Sequence, residues 1–340
     1  MPEGSVLSRL AGEREVLFIG GKGGVGKTAV ASALALQQAR AGRPTLVVST
    51  DPAHNLGHLW QRPVGDEPVE LAPLLRGLEL DPAKTTDEHL KAVRRTMERL
   101  MPDHLQGEVG KHLELARDAP GTHEAAILER VSEVVAGRSP DELIIFDTAP
   151  SGHTSRLLAL PEMMQAWTEG LLRRQDRSAK FGAALRGLEG EDQRSADIVG
   201  TSRTSVGPRK TQDRRAKRDS EIKAILDRRQ ERFRSLRTVL QDPKRASFVI
   251  VLAAERLPVL ETIELEQQLR RARMSVDALV VNKRSPRDGG DLLAARHLVE
   301  EGYIEQLRSA LPTVPTVEVP LLPGEVVGEE GLTSFAQHLH

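Results

Sequence analysis

The run Gly21-Lys22-Gly23-Gly24-Val25-Gly26-Lys27-Thr28 packs four glycines, two lysines and a threonine into eight positions. It matches the pattern G-x-x-x-x-G-K-[ST]. In such a loop the glycines let successive backbone N–H groups turn toward phosphate oxygens, and the helix that follows adds its positive end. By that chemistry Lys27 reaches the β- and γ-phosphates of a nucleoside triphosphate, and the Thr28 hydroxyl ligates Mg²⁺. Lys22 is surplus to the pattern. A second ammonium group, five residues before the first and against the same phosphates, needs a reason of its own.

Two acids elsewhere suit the same reaction. "LIIFD" (143–147) is an apolar strand ending in Asp147, which would hold the magnesium directly or through a water. "STDPAHNL" (49–56) begins where a second apolar strand ends, the edge at which open α/β sheets bind ligands. Asp51 is there to orient or deprotonate an attacking water, and Asn55 to sense the γ-phosphate. Pro52 stiffens a loop that has to move with nucleotide state. His54 and His58 read as loop or dimer contacts rather than metal ligands, since no other ligand cluster accompanies them.

The elements that must position these groups are legible as alternating patterns. Strands are expected at 15–21, 44–51, 142–149, 247–254, 276–283 and 316–322, with helices at 27–42, 259–273 and 291–310. Continuous apolar strands alternating with helices indicate an α/β fold, a mainly parallel sheet flanked by helices as in P-loop NTPases. Residues 83–135 and 161–244 leave this alternation and look helical. In the first, Leu90, Val93, Met97, Leu100 and Met101 recur at helical spacing.

The expected organisation is therefore a nucleotide-binding core of 1–82, 136–160 and 245–340, with an inserted α-helical subdomain of 83–135 and 161–244. A polar stretch near 189–213 interrupts the subdomain. Residues 201–220 hold seven Lys or Arg against two Asp, which reads first as a solvated loop running into an exposed helix.

Composition narrows the class. The 340 residues carry a formal net charge of −1, so no bulk field draws the molecule to nucleic acid or anionic lipid. Aromatic residues make up 3%, which leaves few rings for base stacking. There is no cysteine, so thiolate metal sites and cysteine nucleophiles have no ligand to use. No run approaches the ~18 apolar residues of a membrane span. With no apolar stretch of signal-peptide length at the start, the expectation is a cytoplasmic protein whose membrane role, if it has one, is peripheral.

"GKGGVGKT" resembles the deviant phosphate loop of a group of dimeric ATPases. These include the division and partition ATPases, nitrogenase iron protein, the arsenite-pump ATPase ArsA and the ATPase that delivers tail-anchored membrane proteins. The resemblance implies that Lys22 acts in trans on the partner's ATP, adding charge to the transition state as an arginine finger does. "STDPAHNL" together with "FDTAPSGHTSRLLALP" (146–161) looks like the ArsA and tail-anchored-targeting branch. Partition and division ATPases usually lack that second stretch.

"LAAERLPVLETIELEQQL" (252–269), "VVNKRSP" (280–286) and "VPLLPGEVVG" (319–328) agree with that branch. By this resemblance Asn282 hydrogen-bonds the adenine edge, while Pro320 and Leu321 line the base pocket. Gly152, His153 and Thr154 form a second switch beside the first, Asp51 to Asn55.

The departures are also informative. The family's cysteines, whether for metalloid sensing or for zinc at the dimer interface, are absent. One ATPase half is present where arsenite proteins carry two, so a homodimer is the simplest source of a second site. The expected activity is Mg²⁺-dependent ATP hydrolysis that opens and closes such a dimer.

Three tasks fit. The first is an arsenite-pump-like coupling subunit working with a membrane transporter. The second is a targeting factor holding hydrophobic clients; for it, Met97, Met101, Met163, Met164, Trp167, Leu171 and Leu172 form apolar stripes, read first as helix packing. The third and weakest is a partition-like protein whose segment 201–220 binds DNA.

Overall fold

The computed structural model describes residues 5–51, 55–100, 117, 122–148 and 209–339. The first strand, β1 (Val16–Gly21), lies near the middle of an eight-stranded sheet. The others are β2 (Thr45–Ser49), β3 (Val69–Ala72), β4 (Leu75–Glu79), β5 (Leu143–Asp147), β6 (Ala246–Ala253), β7 (Val276–Arg284) and β8 (Thr316–Pro320). Their order across the sheet is β3-β4-β2-β5-β1-β6-β7-β8. Every neighbouring pair is parallel except β3–β4. The chain moves from β1 to one side of the sheet and later returns to build the other side, so the order reverses at β1. That reversal opens a ligand crevice at the carboxyl ends of the strands.

Burial on both faces explains the continuous apolar strands. Leu17, Ile19, Val47, Ile145 and Val249 pack under α1 (Val6–Glu13), α2 (Lys27–Arg40), α3 (Asn55–Trp60) and, near the chain's end, Leu332 and Phe335. On the other face Phe18 stacks between Phe146 and Phe248, with ring centroids 4.9 and 5.4 Å away. Those three rings sit in register on β5, β1 and β6. They share a core with Leu128 and Val131, and with Phe233 and Leu236 further along the chain.

After α4 (Pro82–Leu100) come α5 (Thr122–Ala136), α6 (Arg209–Gln241), α7 (Arg256–Arg271), α8 (Asp291–Ala310) and α9 (Gly328–Ala336). α4, α5 and α6 pack on one another, joined by an internal charge cluster. Glu129 accepts from Arg229 at 3.0 Å and lies 2.6 Å from His89 Nδ1. In addition, α5 and the C-terminal half of α6 cover the phenylalanine face of the sheet. The polar stretch 189–213 falls outside the described residues except for 209–213, which begin α6.

Four features depart from the sequence reading, among them α3, which lies where a loop was expected. The hairpin β3–β4 is absent from it, because "VELAPLLRGLE" shows no alternation and its turn passes through Leu74 at φ +62°. Helices α1 and α9 were not anticipated either. α9 spans "GEEGLTSFA", whose glycines disfavour an isolated helix; it forms because Leu332, Phe335 and Ala336 bury against α2. α2 is enclosed between the sheet and these two helices, which is why small alanines fill so much of it.

Candidate nucleotide site

The loop between β1 and α2 adopts a path that only glycine can follow at two points. At Gly21 (φ +137°) a Cβ would lie 2.0 Å from the Val251 carbonyl oxygen of β6. At Gly26 (φ +95°) it would lie 2.4 Å from Asn282 Nδ2. The loop carbonyls are tied to protein donors. Lys27 Nζ donates to Lys22 O at 3.1 Å, Lys283 Nζ to Gly24 O at 2.9 Å, and Asn282 Nδ2 to Val25 O at 2.9 Å. The amide edge and the N-terminal end of α2 are what such a loop offers to an anion.

Beneath the loop lie Thr28 and Asp147. The Thr28 hydroxyl donates to Asp147 Oδ2 at 2.6 Å. Asp147 is fully buried, and its Oδ1 has no hydrogen-bond partner. Burial pushes the carboxyl up to about 7, against the opposing pull of the Thr28 hydroxyl and the Lys27 ammonium. Burial likewise lowers the Lys27 pKa from the usual ammonium value, with Asp147 and Asp51 resisting. An orphaned buried carboxylate oxygen beside a hydroxyl is a donor set that suits Mg²⁺, which prefers oxygen ligands. Among the described residues no cluster of three or more His, Cys, Asp or Glu forms a separate metal site.

Strand ends bring the remaining groups to this edge. Ser49 and Asp147 are register partners on β2 and β5, and Thr50 N donates to the Asp147 carbonyl at 2.9 Å. Asp51 follows, its N–H donating to Ser49 Oγ at 3.3 Å. Asn55 opens α3, whose next residue Leu56 donates its N–H to Glu79 Oε1 at 3.0 Å. Pro52 and His54 lie outside the described residues, as do Gly152, His153 and Thr154. The side chains of Met97, Met101, Met163, Met164, Trp167, Leu171 and Leu172 lie outside the described residues as well.

Asn282 stands at the end of β7, with Oδ1 accepting from Lys283 N at 2.9 Å. Pro320 ends β8 and is exposed; Leu321 is 45% exposed and donates its N–H to the Arg284 carbonyl at 2.8 Å. Lys22 does not turn into its own cradle. Its Nζ lies 3.0 Å from Glu261 Oε1 on α7. A hollow of about 420 Å³ opens beside it, lined by Gly24, Arg256, Leu257 and Lys283.

Sequence reading missed Glu79, Glu261, Lys283 and Arg284. Glu261 is 239 residues from Lys22, and no local pattern announces that pairing. Lys283 had a faint signal, standing next to Asn282, but its φ of +59° is visible only in the fold.

The family model described as anion-transporting ATPase matches residues 14–340. The chain is 31% identical to ATPase GET3 of Podospora anserina and 30% identical to ATPase GET3 of Pyricularia oryzae. Each match covers 95% of this chain and 89% of the relative. It is 28% identical to ATPase ASNA1 homolog 1 of Paramecium tetraurelia, over 95% of this chain and 91% of that one. With a phosphate loop, a buried acid beneath it and a match of this extent, the chain belongs to the anion-transporting ATPase (ArsA ATPase) family and is an ATP hydrolase.

Proposed function

We propose that this chain is one subunit of an ATP-driven homodimer that handles tail-anchored membrane proteins, closing with ATP bound and reopening after hydrolysis. The observation that carries the reading is similarity over 95% of the chain to GET3 and ASNA1 ATPases, the tail-anchored-targeting branch of the family. That similarity favours the targeting role over an arsenite-pump-like one. No described helix is long and apolar enough to cross a membrane, so membrane contact would pass through partners or clients. A cytoplasmic location fits that role.

The chemistry is in-line attack of water on the γ-phosphate. Lys27, buried and hydrogen-bonded to the loop, neutralises charge on the β- and γ-phosphates. Asp51 aligns the water, and Asn55 senses the γ-phosphate. Thr28 and Asp147 would hold Mg²⁺, directly or through a water, and it would supply Lewis-acid charge to the phosphates when bound. The partner's Lys22 completes the charge stabilisation. The Asn282 amide has two N–H groups; with one on Val25 O, the other is left for the adenine edge. Pro320 and Leu321 line the base pocket. Pro52 and His54, with Gly152, His153 and Thr154, form the switches that pass nucleotide state to a helical subdomain of 83–135 and 161–244.

The test is Asp51→Asn. Turnover should fall about 10²- to 10³-fold with ATP binding retained, and substantial residual turnover would sink the assignment. Co-expressed with a tail-anchored membrane segment, this variant should yield an ATP-dependent soluble complex at dimer size or larger. A nucleotide-locked dimer without client would instead direct attention to a transporter partner.

A further inference from the structure

The Lys22 backbone and side chain face different neighbours. Its carbonyl accepts from Lys27 Nζ inside the cradle, while its own ammonium sits on Glu261 of α7. The lysine is therefore engaged within its own subunit, outside its own phosphate cradle. Both side chains are 39% exposed, so the pair is open to solvent and to an approaching protein surface. An exposed pair of this kind is weak. The phosphates of a bound nucleotide carry more negative charge than one carboxylate, and a closing interface strengthens their attraction by excluding water.

We propose that Glu261 is a positioning residue for turnover: it parks Lys22 in the resting subunit, and Lys22 must leave it to reach the nucleotide held by a second copy. The proposal rests on the trans role of Lys22 stated above. Glu261 then competes with dimer closure, and it sets the protein concentration at which the ATPase switches on. The competition is mild because both partners stay solvated, so ATP-bound subunits still pair.

The experiment measures ATP turnover, and ATP-dependent dimerisation by analytical ultracentrifugation, against protein concentration for the full chain, Glu261→Gln, Lys22→Ala and the double variant. Glutamine keeps the size of the side chain and removes its charge. Glu261→Gln should lower the half-maximal protein concentration about two- to fivefold, the range set by an exposed ion pair, with the saturating rate unchanged. The difference should shrink at high salt, which screens such pairs. In the Lys22→Ala background, where turnover is lost, Glu261→Gln should leave the concentration for ATP-dependent dimerisation unchanged.

Unchanged or raised half-maximal concentration in Glu261→Gln, with Lys22→Ala inactive, overturns the parking role and leaves the trans lysine standing. An equal shift of dimerisation by Glu261→Gln with and without Lys22→Ala makes Glu261 a structural residue and overturns the proposal as well. Lys22→Ala with the parent's concentration-dependent turnover removes the trans reading itself.

Discussion

Two buried acids at the carboxyl edge of one sheet meet opposite circumstances. Asp147, at the end of β5, has a single hydroxyl on one oxygen and no partner for the other. Glu300, on α8 beside the end of β7, accepts from Ser285 N at 3.0 Å, Ser285 Oγ at 2.8 Å, Arg284 at 2.9 Å and Arg296 at 2.9 Å. Burial pushes both carboxyls up. At Glu300 the donors from Ser285, Arg296 and Arg284 more than offset it and hold the group below its ordinary value. At Asp147 the Thr28 hydroxyl and the Lys27 ammonium offset it only in part, and the group sits at about 7. The saturated acid is a structural joint between β7, β8 and α8. The unsaturated one lies under a phosphate loop, where a cation can complete it.

Breaking the joint should have the largest effect. Arg284, 6% exposed, bonds Glu300, Glu301 and Glu318 together. Arg284→Met leaves Glu300 buried with one of its two arginines gone and takes from Glu301 and Glu318 the cation they share, and should cost about 3–5 kcal/mol in chemical denaturation. Because the Arg284 carbonyl also holds Leu321, the same variant should raise the KM for ATP more than it lowers kcat.

Completing the unsaturated acid should act in the opposite direction. Asp147→Asn should stabilise the nucleotide-free protein by about 1–3 kcal/mol at pH 8, because the buried group no longer carries a charge, while abolishing Mg²⁺-dependent turnover. The sign follows from the raised pKa. The folded carboxyl is penalised only when ionised, so the gain is full above about pH 7 and fades as pH falls toward the ordinary Asp value of about 3.8. Unfolding curves for both proteins between pH 4 and 8 would check it; a gain independent of pH would show that the charge is not the cause.

The smallest effect belongs to the rim of the joint. Glu318 is 32% exposed and shares Arg284 with two other carboxylates. Glu318→Gln should cost about 1 kcal/mol or less, measured as the denaturation midpoint. A loss as large as that of Arg284→Met would mean that the cluster works as one unit rather than around Arg284.

The same contrast explains what could be read in advance. Asp147 was legible because it ends an apolar strand and because residues 21–28 announce a phosphate loop; both signals are contiguous. The Arg284 cluster was not. Its partners lie on α8 and β8, and nothing in "NKRSP" marks that arginine as buried. The hairpin β3–β4 escaped for a related reason: a short pair held by β2 needs no alternating pattern of its own. Asn282 was assigned to a base pocket by resemblance, and the fold adds a contact that resemblance did not supply, the hydrogen bond to Val25 O.

By itself, the sequence determined the alternation of apolar strands and helices, the phosphate loop and the strand-end acids, since each rests on residues within a few positions of one another. Its glycines at 21 and 26 were also determined locally, although the neighbours that demand them, Val251 O and Asn282, come from β6 and β7. Tertiary structure alone decided how those acids are satisfied. It left Asp147 Oδ1 unpartnered, saturated Glu300, and turned Lys22 away from its own cradle onto Glu261. Such outcomes depend on which side chains meet across the sheet edge, and chain folding sets that through burial and packing at long sequence separation.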